Sequence, residues 1–376
     1  MDRHDNDPYR RLLGLRPFIN ASGNSTTLGG SVMPKEVVEA MAAAARSFID
    51  LTALNREAGK RAAKMIGVEA AFISCGASSG VAMCAAACMT RGDATRVASL
   101  PHTGAFPDEF VISLVDPHVF VHQGIESVGG KLVKVGSPTG VTIADMVAAI
   151  GPRTAGVVLF YGLQSKQDLA ELAPAATERG IPVIVDAAAQ LPPRSNLTSL
   201  LDLGATAVVF SGGKAIRGPQ STGLVLGQSD FVEAVRLNAN PHTAIGRGMK
   251  VGKEEIVGLL AALEIFLAAD EERELARWRE DLERIAAVLN SLDGVTAEVG
   301  SKGHAAAPAA VARAYVTFDS TRTPPARHII DRLRVGEPSI AMRADGDAIV
   351  IDPMTLMPGE AEVVASQMET AIRRGR

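Results

Sequence analysis

Three short stretches hold residues whose types and spacing are suited to chemistry. Lys214 stands alone among small residues in Phe210-Ser-Gly-Gly-Lys-Ala-Ile-Arg-Gly-Pro-Gln220, directly after the apolar run 205–210. A lysine in a dry, glycine-walled pocket has a depressed pKa and forms Schiff bases with carbonyl compounds; the alternative is an exposed turn residue. Asp186 ends the apolar run Val183-Ile-Val-Asp186 and is followed by Ala187, Ala188 and Ala189. A carboxylate there needs a partner, because an unpaired buried charge is expensive. It either caps the following turn or faces a cationic ligand atom such as a pyridinium nitrogen. In Ser74-Cys-Gly-Ala-Ser-Ser-Gly80, a glycine-containing turn opens an Ala-rich helix. Such a turn points backbone N–H groups, including that of Ala77, and the positive end of the helix dipole at an anion. Ser78 and Ser79 add hydroxyls, and Ser211, three residues before the lysine, is placed to share the same anion. An ordinary serine N-cap reads the same way on this stretch alone.

The elements around these residues place all three at one edge of a sheet. Strand-like runs fall at 70–74, 110–114, 132–135, 156–160, 182–185, 206–210 and 223–227, with helical patterns at 78–89, 142–150 and 166–179 between them. Continuous apolar strands alternating with helices predict a mostly parallel sheet covered on both faces. Functional residues in such folds gather at the carboxyl ends of the strands. Lys214 follows Asp186 by 28 residues, about one helix-plus-strand unit, so both reach the same edge. A phosphate-binding P-loop would need GxxxxGK followed by Ser or Thr, whereas Ala215 follows Lys214, and a GxGxxG after the first strand is missing. Anion cup, aspartate and Ser-x-x-Lys, in this order on a parallel sheet, form the layout of a fold-type I pyridoxal-phosphate (PLP) enzyme. The expected architecture is therefore α/β, a mainly parallel seven-stranded sheet with a smaller α+β C-terminal domain. Its expected boundaries are 1–50 for an N-terminal segment packing with the small domain, 51–252 for the large domain, and 253–376 for linking helices and the small domain. In that last part, long helical patterns cover 254–270 and 271–292, strand-like pieces follow at 314–318, 339–343 and 348–351, and a terminal helix starts at Gly359. The segment 301–312 reads as a loop.

Several stretches together resemble the selenocysteine-synthase-like group of PLP enzymes, which includes L-seryl-tRNA(Sec) selenium transferase and D-glucosaminate-6-phosphate ammonia-lyase. They are Ile19-Asn-Ala-Ser-Gly23, Thr27-Leu-Gly-Gly30, Gly67-Val-Glu-Ala-Ala71 and Val209-Phe-Ser-Gly-Gly-Lys214 with Gly218-Pro-Gln220. The resemblance implies that Lys214 carries the cofactor and that Asp186 pairs with its pyridine nitrogen. It also implies that Ala77, Ser78, Ser79 and Ser211 hold its phosphate, while the glycines let the cofactor come close. It further implies a homo-oligomer, since fold-type I sites are commonly completed by a second subunit. The ammonia-lyase branch matches better than the transferase, which would imply a further N-terminal tRNA-binding domain, whereas only about eighteen residues precede Ile19. The expected activity is α,β-elimination from a hydroxyamino acid or amino-sugar acid, giving a 2-oxo acid and ammonia. Racemisation, aldol cleavage and selenium transfer remain as alternatives.

Two further candidates rest on this fold. His118, in Val115-Asp-Pro-His-Val-Phe-Val-His122, follows a strand where the fold commonly stacks a residue over the cofactor ring, and His122 faces the same way if this piece is helical. Both also read as plain polar residues. Arg343 is the candidate for clamping a substrate carboxylate, or else a surface arginine on a hairpin. Met354 stands where relatives often carry arginine. Arg217, Arg247 and Lys250 form a loose basic group, by default solvated loop charges.

Composition narrows the classes. The net charge of −4 over 376 residues argues against a nucleic-acid-binding surface. No apolar run approaches the roughly 18 residues of a membrane span. The charged start lacks a signal-peptide core, and three cysteines make no disulfide framework, so a cytoplasmic protein is expected. Cys84 and Cys88 read as small core residues rather than metal ligands.

Overall fold

In a computed structural model, residues 7–301 and 308–374 are described. They form two compact units, one of residues 31–269 and 308 and the other of residues 7–30, 270–301 and 309–374. The boundaries drawn on composition at 50 and 252 therefore move to 30 and 269. The reason is packing: the Lys253–Ala268 helix lies against the Lys35–Ala44 and Leu51–Ile66 helices of the larger unit.

Numbered along the chain, β1 (Ile19–Asn20) belongs to the smaller unit, and β2 (Ala70–Ser74) opens the sheet of the larger one. That sheet continues with β3 (Glu109–Ser113), β4 (Lys131–Val135), β5 (Thr154–Phe160), β6 (Val183–Asp186), β7 (Ala207–Ser211) and β8 (Gly223–Gly227). Its order is β2-β8-β7-β6-β5-β3-β4. All strands run the same way except β8, which is antiparallel to both β2 and β7. The expected seven-stranded, mainly parallel sheet is therefore present. Successive strand residues point to opposite faces, and each face has its own core. Val157, Leu159, Val183, Val185, Val208 and Phe210 pack with the Lys166–Thr177 helix on one side. Val158, Phe160, Ile184, Ala207 and Val209 pack on the other side with the Gly76–Thr90 helix, which is buried from Gly80 onward. That helix comes close because it is made of small residues. A Cβ on Gly80 would sit 2.9 Å from Ser74 Oγ and from Val209 Cγ1, so any side chain there would push helix and sheet apart.

The smaller unit holds β9 (Val295–Gly300), β10 (Arg313–Phe318), β11 (Ile340–Ala341), β12 (Arg343–Asp345) and β13 (Ala348–Ile351). Strands β9, β10, β12 and β13 form an antiparallel sheet in the order β12-β13-β10-β9. The Glu271–Asn290, Ala326–Val335 and Glu360–Arg373 helices share its core. The strand expected at 339–343 divides at Met342: β11 pairs in parallel with β1, and β12 pairs with β13.

The Ile19–Gly23 stretch has a structural task in this unit. Asn20 Oδ1 accepts from Ser22 N at 2.9 Å and its Nδ2 donates to Gly23 O at 3.1 Å. Ala21 N donates to Ala341 O, and Ala21 O accepts from Asp352 N, both at 2.9 Å. Gly23, at φ +90°, passes so near Asp352 that a Cβ would lie 2.8 Å from its carboxyl carbon. Asp352 in turn holds the buried Arg313, whose Nε donates to Asp352 Oδ2 at 2.8 Å.

Candidate active site

The carboxyl edge of the large sheet collects the chemistry. Four segments leave it there: after β2 to the Gly76–Thr90 helix, after β3 to His118, after β6 at Asp186 and after β7 to Lys214. Strand alternation sets the side. Ser74, Asp186 and Ser211 follow Ile73, Val185 and Phe210 of the first core, so they face the side covered by the Gly76–Thr90 helix.

Lys214 sits in the loop 212–222 that connects β7 to the antiparallel β8. The loop closes on itself through Gly212 N to Thr222 O at 2.9 Å and Gly218 N to Gly212 O at 2.8 Å. Its glycines are required by these contacts. A Cβ on Gly212 would lie 2.2 Å from Thr222 Oγ1, one on Gly213 2.4 Å from Gln220 Cα, and one on Gly223 2.4 Å from the carbonyl carbon of Gly76. The glycines thus serve the chain's own close packing. Burial lowers the Lys214 pKa, with the nearby Asp186 carboxylate opposing the shift.

Among the described residues, the Asp186 side chain accepts one hydrogen bond, from Ala188 N to Oδ1 at 3.0 Å, the turn-capping contact that its position suggested. Burial raises its pKa; the Ala188 bond and Lys214 act against that. Among the described residues, no ion pair within 4 Å satisfies either Asp186 or Lys214. Two ionisable groups of opposite sign therefore share a half-buried edge without closing on each other. That arrangement is costly in itself and suited to a ligand with complementary groups.

The Gly76–Thr90 helix begins with Cys75 as N-cap and no side-chain capping bond, so its first N–H groups, on Gly76, Ala77 and Ser78, lack intrahelical acceptors. Ser79 differs from its neighbour: its hydroxyl donates to the Cys75 carbonyl and, at 3.2 Å, to Gly76 O. Ser78 and Ser211 are half-buried. An uncapped helix N-terminus for a phosphate, a carboxylate for a pyridine nitrogen and an amine for an aldehyde match the three functional ends of PLP. The donor set fits that cofactor.

His118 is the N-cap of the Val119–Ser127 helix. Its charge environment includes Asp186 and Lys214. Its Nδ1 lies 2.5 Å from Asp116 Oδ1, and this bond raises its pKa. His122 sits one helical turn further on, buried, with Nε2 3.6 Å from Asp116 Oδ2. Burial lowers its pKa. Asp116 is the residue that sequence reasoning passed over, although a carboxylate two positions before a histidine was a usable signal.

The remaining candidates stand on other elements. Arg343 is half-buried on β12 of the smaller unit, opposite Val350. Met354, also in that unit, has its sulfur 3.9 Å from Asn24 Nδ2. The loose basic group divides. Arg217 Nε donates to Val32 O at 3.0 Å, while Arg247 and Lys250 line a cleft of about 530 Å³ with Phe48 and Ile49. Cys84 and Cys88 are buried, their thiol pKa values pushed up by burial, and no metal-binding cluster occurs among the described residues.

Comparison with known proteins agrees with this geometry. A curated Streptomyces protein named 5'-C-glycyluridine monooxygenase-decarboxylase is 32% identical over 370 residues, covering 95% of this chain and 90% of that protein. The D-glucosaminate-6-phosphate ammonia lyase of Salmonella typhimurium (strain 14028s / SGSC 2262) is 31% identical over 370 residues, covering 95% of each. A solved structure of D-glucosaminate-6-phosphate ammonia-lyase superposes with a TM-score of 0.81 at 28% identity, over 98% of this chain and 99% of that one. The sequence profile of L-seryl-tRNA selenium transferase matches residues 18–357. With a match that runs from the Ile19–Gly23 stretch past β13 and includes every residue of the carboxyl-edge site, the chain belongs to the L-seryl-tRNA selenium transferase family and has the fold of type I PLP enzymes.

Proposed function

We propose that the protein is a PLP-dependent lyase that dehydrates and deaminates a hydroxyamino acid or amino-sugar acid, releasing a 2-oxo acid and ammonia. One observation carries the reading: Asp186 and Lys214 sit half-buried and unpaired, within reach of each other's charge and beside an uncapped helix N-terminus, in a chain that is 31% identical to an ammonia lyase. Bound there, PLP supplies the electron sink that makes the Cα–H of an amino acid acidic. The chain's residues do the rest. Asp186 holds a proton on the ring nitrogen, and the N–H groups of Gly76, Ala77 and Ser78 bind the phosphate with the Ser78 and Ser211 hydroxyls. Ser79 braces that turn through its own backbone bonds. The Lys214 amine, its pKa lowered by burial, takes the Cα proton as general base. Arg343 is assigned the substrate carboxylate. The working form is a homo-oligomer in the cytoplasm that acts on small molecules and not on nucleic acid. Among the described residues, no helix is long and apolar enough to cross a membrane.

A second reading has its own support. The relative at 32% identity is named a monooxygenase-decarboxylase, so an oxygen-dependent decarboxylation of an amino-acid-bearing substrate is the competing outcome at the same site. Spectra come first. Purified protein with PLP should absorb at roughly 410–430 nm, as protonated Schiff bases of this kind do. Borohydride should fix the label on Lys214, and Lys214→Ala should lose the band. Hydroxyamino acids, D-glucosaminate 6-phosphate and a glycyl nucleoside are then assayed for ammonia, oxygen uptake and carbon dioxide. Ammonia without oxygen uptake supports the lyase; oxygen uptake with carbon dioxide supports the second reading. Absence of the band from wild-type protein would sink both. Racemised substrate, aldehyde release, or a mobility shift with seryl-tRNA would instead select one of the minor alternatives.

A further inference from the structure

Asp116 is the most heavily engaged buried carboxylate of the site, and the mechanism above does not use it. Its side chain is 0% exposed, and it stands between two imidazoles: His118 Nδ1 at 2.5 Å from Oδ1 and His122 Nε2 at 3.6 Å from Oδ2. The two contacts are not equivalent. The first is a short hydrogen bond; at the second, neither Asp116 Oδ2 nor His122 Nε2 has a hydrogen-bond partner among the described residues. A buried carboxylate needs a donor, and a histidine bonded through Nδ1–H has its tautomer and ring orientation fixed by that bond. His118 then has Nε2 as its second, chemically available nitrogen.

We propose that Asp116 is a positioning residue: by accepting Nδ1–H of His118 it keeps that ring a cation whose Nε2 proton is delivered to the departing β-oxygen of the substrate. This rests on the elimination reading given above. The step balances without any oxidant. Lys214 takes the Cα proton, and the Cα–H electron pair becomes the Cα=Cβ bond. The Cβ–O pair leaves with oxygen, and the Nε2 proton of His118 turns hydroxide into water. His118 recovers its proton from solvent.

The surroundings agree with a division of labour between the two histidines. His118 is 38% exposed on its side-chain surface and is faced by Asp116 and Asp186, which favour its cation, and by Lys214, which opposes it. The Phe120 ring stands edge-on to it, with the ring centroids 5.3 Å apart. His122 is faced by Asp116, Lys134, Glu126 and His118, but burial dominates and lowers its pKa. One carboxylate thus has one neighbour whose hold on a proton it strengthens and one whose hold burial weakens. The second is held just outside bonding distance.

The test combines a titration with kinetics on the full-length protein. Histidine-selective NMR, assigned with His118→Gln and His122→Gln, follows the His118 ring in wild type and Asp116→Asn. His118 should titrate above about 6.5, the usual histidine value, and its proton affinity should fall about tenfold or more in the variant. In the loaded enzyme, kcat for ammonia release should fall on the order of 10²-fold, the lower end of general acid–base effects, with KM little changed. Its alkaline limb should move to lower pH by the same amount as the titration, because the acid is lost as pH rises through the His118 pKa. Asp116→Glu should restore part of both. His122→Gln keeps the Asp116–His118 bond and should leave the His118 titration where it is or raise it, which provides a readout even if Asp116→Asn folds poorly. An unchanged His118 titration in Asp116→Asn overturns the inference whatever the activity does. So does a shifted titration with an unmoved alkaline limb, or a fall of the His118 pKa in His122→Gln. If wild type releases no ammonia from any substrate, the elimination reading fails and the proton delivery with it, and the titration shift reports separately on the Asp116–His118 bond.

Discussion

Two acid–base couples, one in each unit, are treated in opposite ways. In the smaller unit Arg313 and Asp352, 1% and 5% exposed, are bonded at 2.8 Å. Asp352 also accepts from Met354 N at 3.0 Å and crowds Gly23. In the larger unit Asp186 and Lys214 sense each other's charge but do not close into an ion pair. A paired buried couple is architecture, and its rupture leaves one charge stranded. An unpaired couple is a standing cost that only a ligand relieves. Burial of a charge therefore says little about function until the partner is known.

The sharpest test of this contrast is chemical. Lys214→Met should lower turnover by more than about 10⁴-fold, since the proposed function makes the amine both attachment point and base. Arg313→Met should leave the chemistry's residues in place yet lower stability by about 3–5 kcal/mol, the usual cost of breaking a buried pair. The same type of substitution at Lys214 should raise the melting temperature of cofactor-free protein, since it removes a charge held without a partner. If both variants melt lower than wild type, the contrast is wrong. Gly223→Ala comes next, at about 1–3 kcal/mol, because the new methyl meets the Gly76 backbone; a neutral result in denaturant melts would show that the turn gives way. Arg343→Ala should raise KM about tenfold, close to 1.4 kcal/mol, with a smaller change in kcat; an unchanged KM removes it from substrate binding.

The pH dependence is a finer probe. The Asp186 pKa is raised in the fold, so its contribution to stability is complete at low pH and is lost as pH rises from 3.8, its ordinary value, through the folded one. The Lys214 pKa is lowered, so its contribution is present above 10.5 and lost as pH falls through the folded value. In cofactor-free protein, Asp186→Asn should therefore gain on wild type as pH rises above 3.8, and added PLP should erase that gain by giving the carboxylate a partner. Thermal melts across that window decide it.

Much of this was legible in the chain. The seven strands of the large sheet were readable because continuous runs such as 156–160 and 206–210 have no polar face to confuse their period. The order of anion turn, aspartate and lysine carried the cofactor. What escaped has physical reasons. Strand β9, Val-Thr-Ala-Glu-Val-Gly, has alternating buried and exposed residues at its start, a weak signal beside the long helix before it. The reversal of β8 was hidden because a strand's direction leaves no mark in its composition, although the absence of a helical period across 212–222 hinted at a direct return. Asp116 was masked by its setting, since Asp-Pro reads as turn punctuation. The Ile19–Gly23 stretch looked like part of a signature, and only contacts could show that Asn20 and Gly23 belong to the stitching around Asp352.

The contact between Gly76 and Gly223 has a consequence for how this scaffold can change. The turn suited to a phosphate and the loop that presents the amine meet there backbone to backbone, so the interval between them is gauged by the thickness of the main chain alone. A gauge without side chains cannot be retuned in small increments by mutation. Diversification toward new substrates is therefore channelled to residues that do not bear on that interval, while the spacing of the Lys214 loop from the anion turn stays fixed like the jaws of a locked caliper.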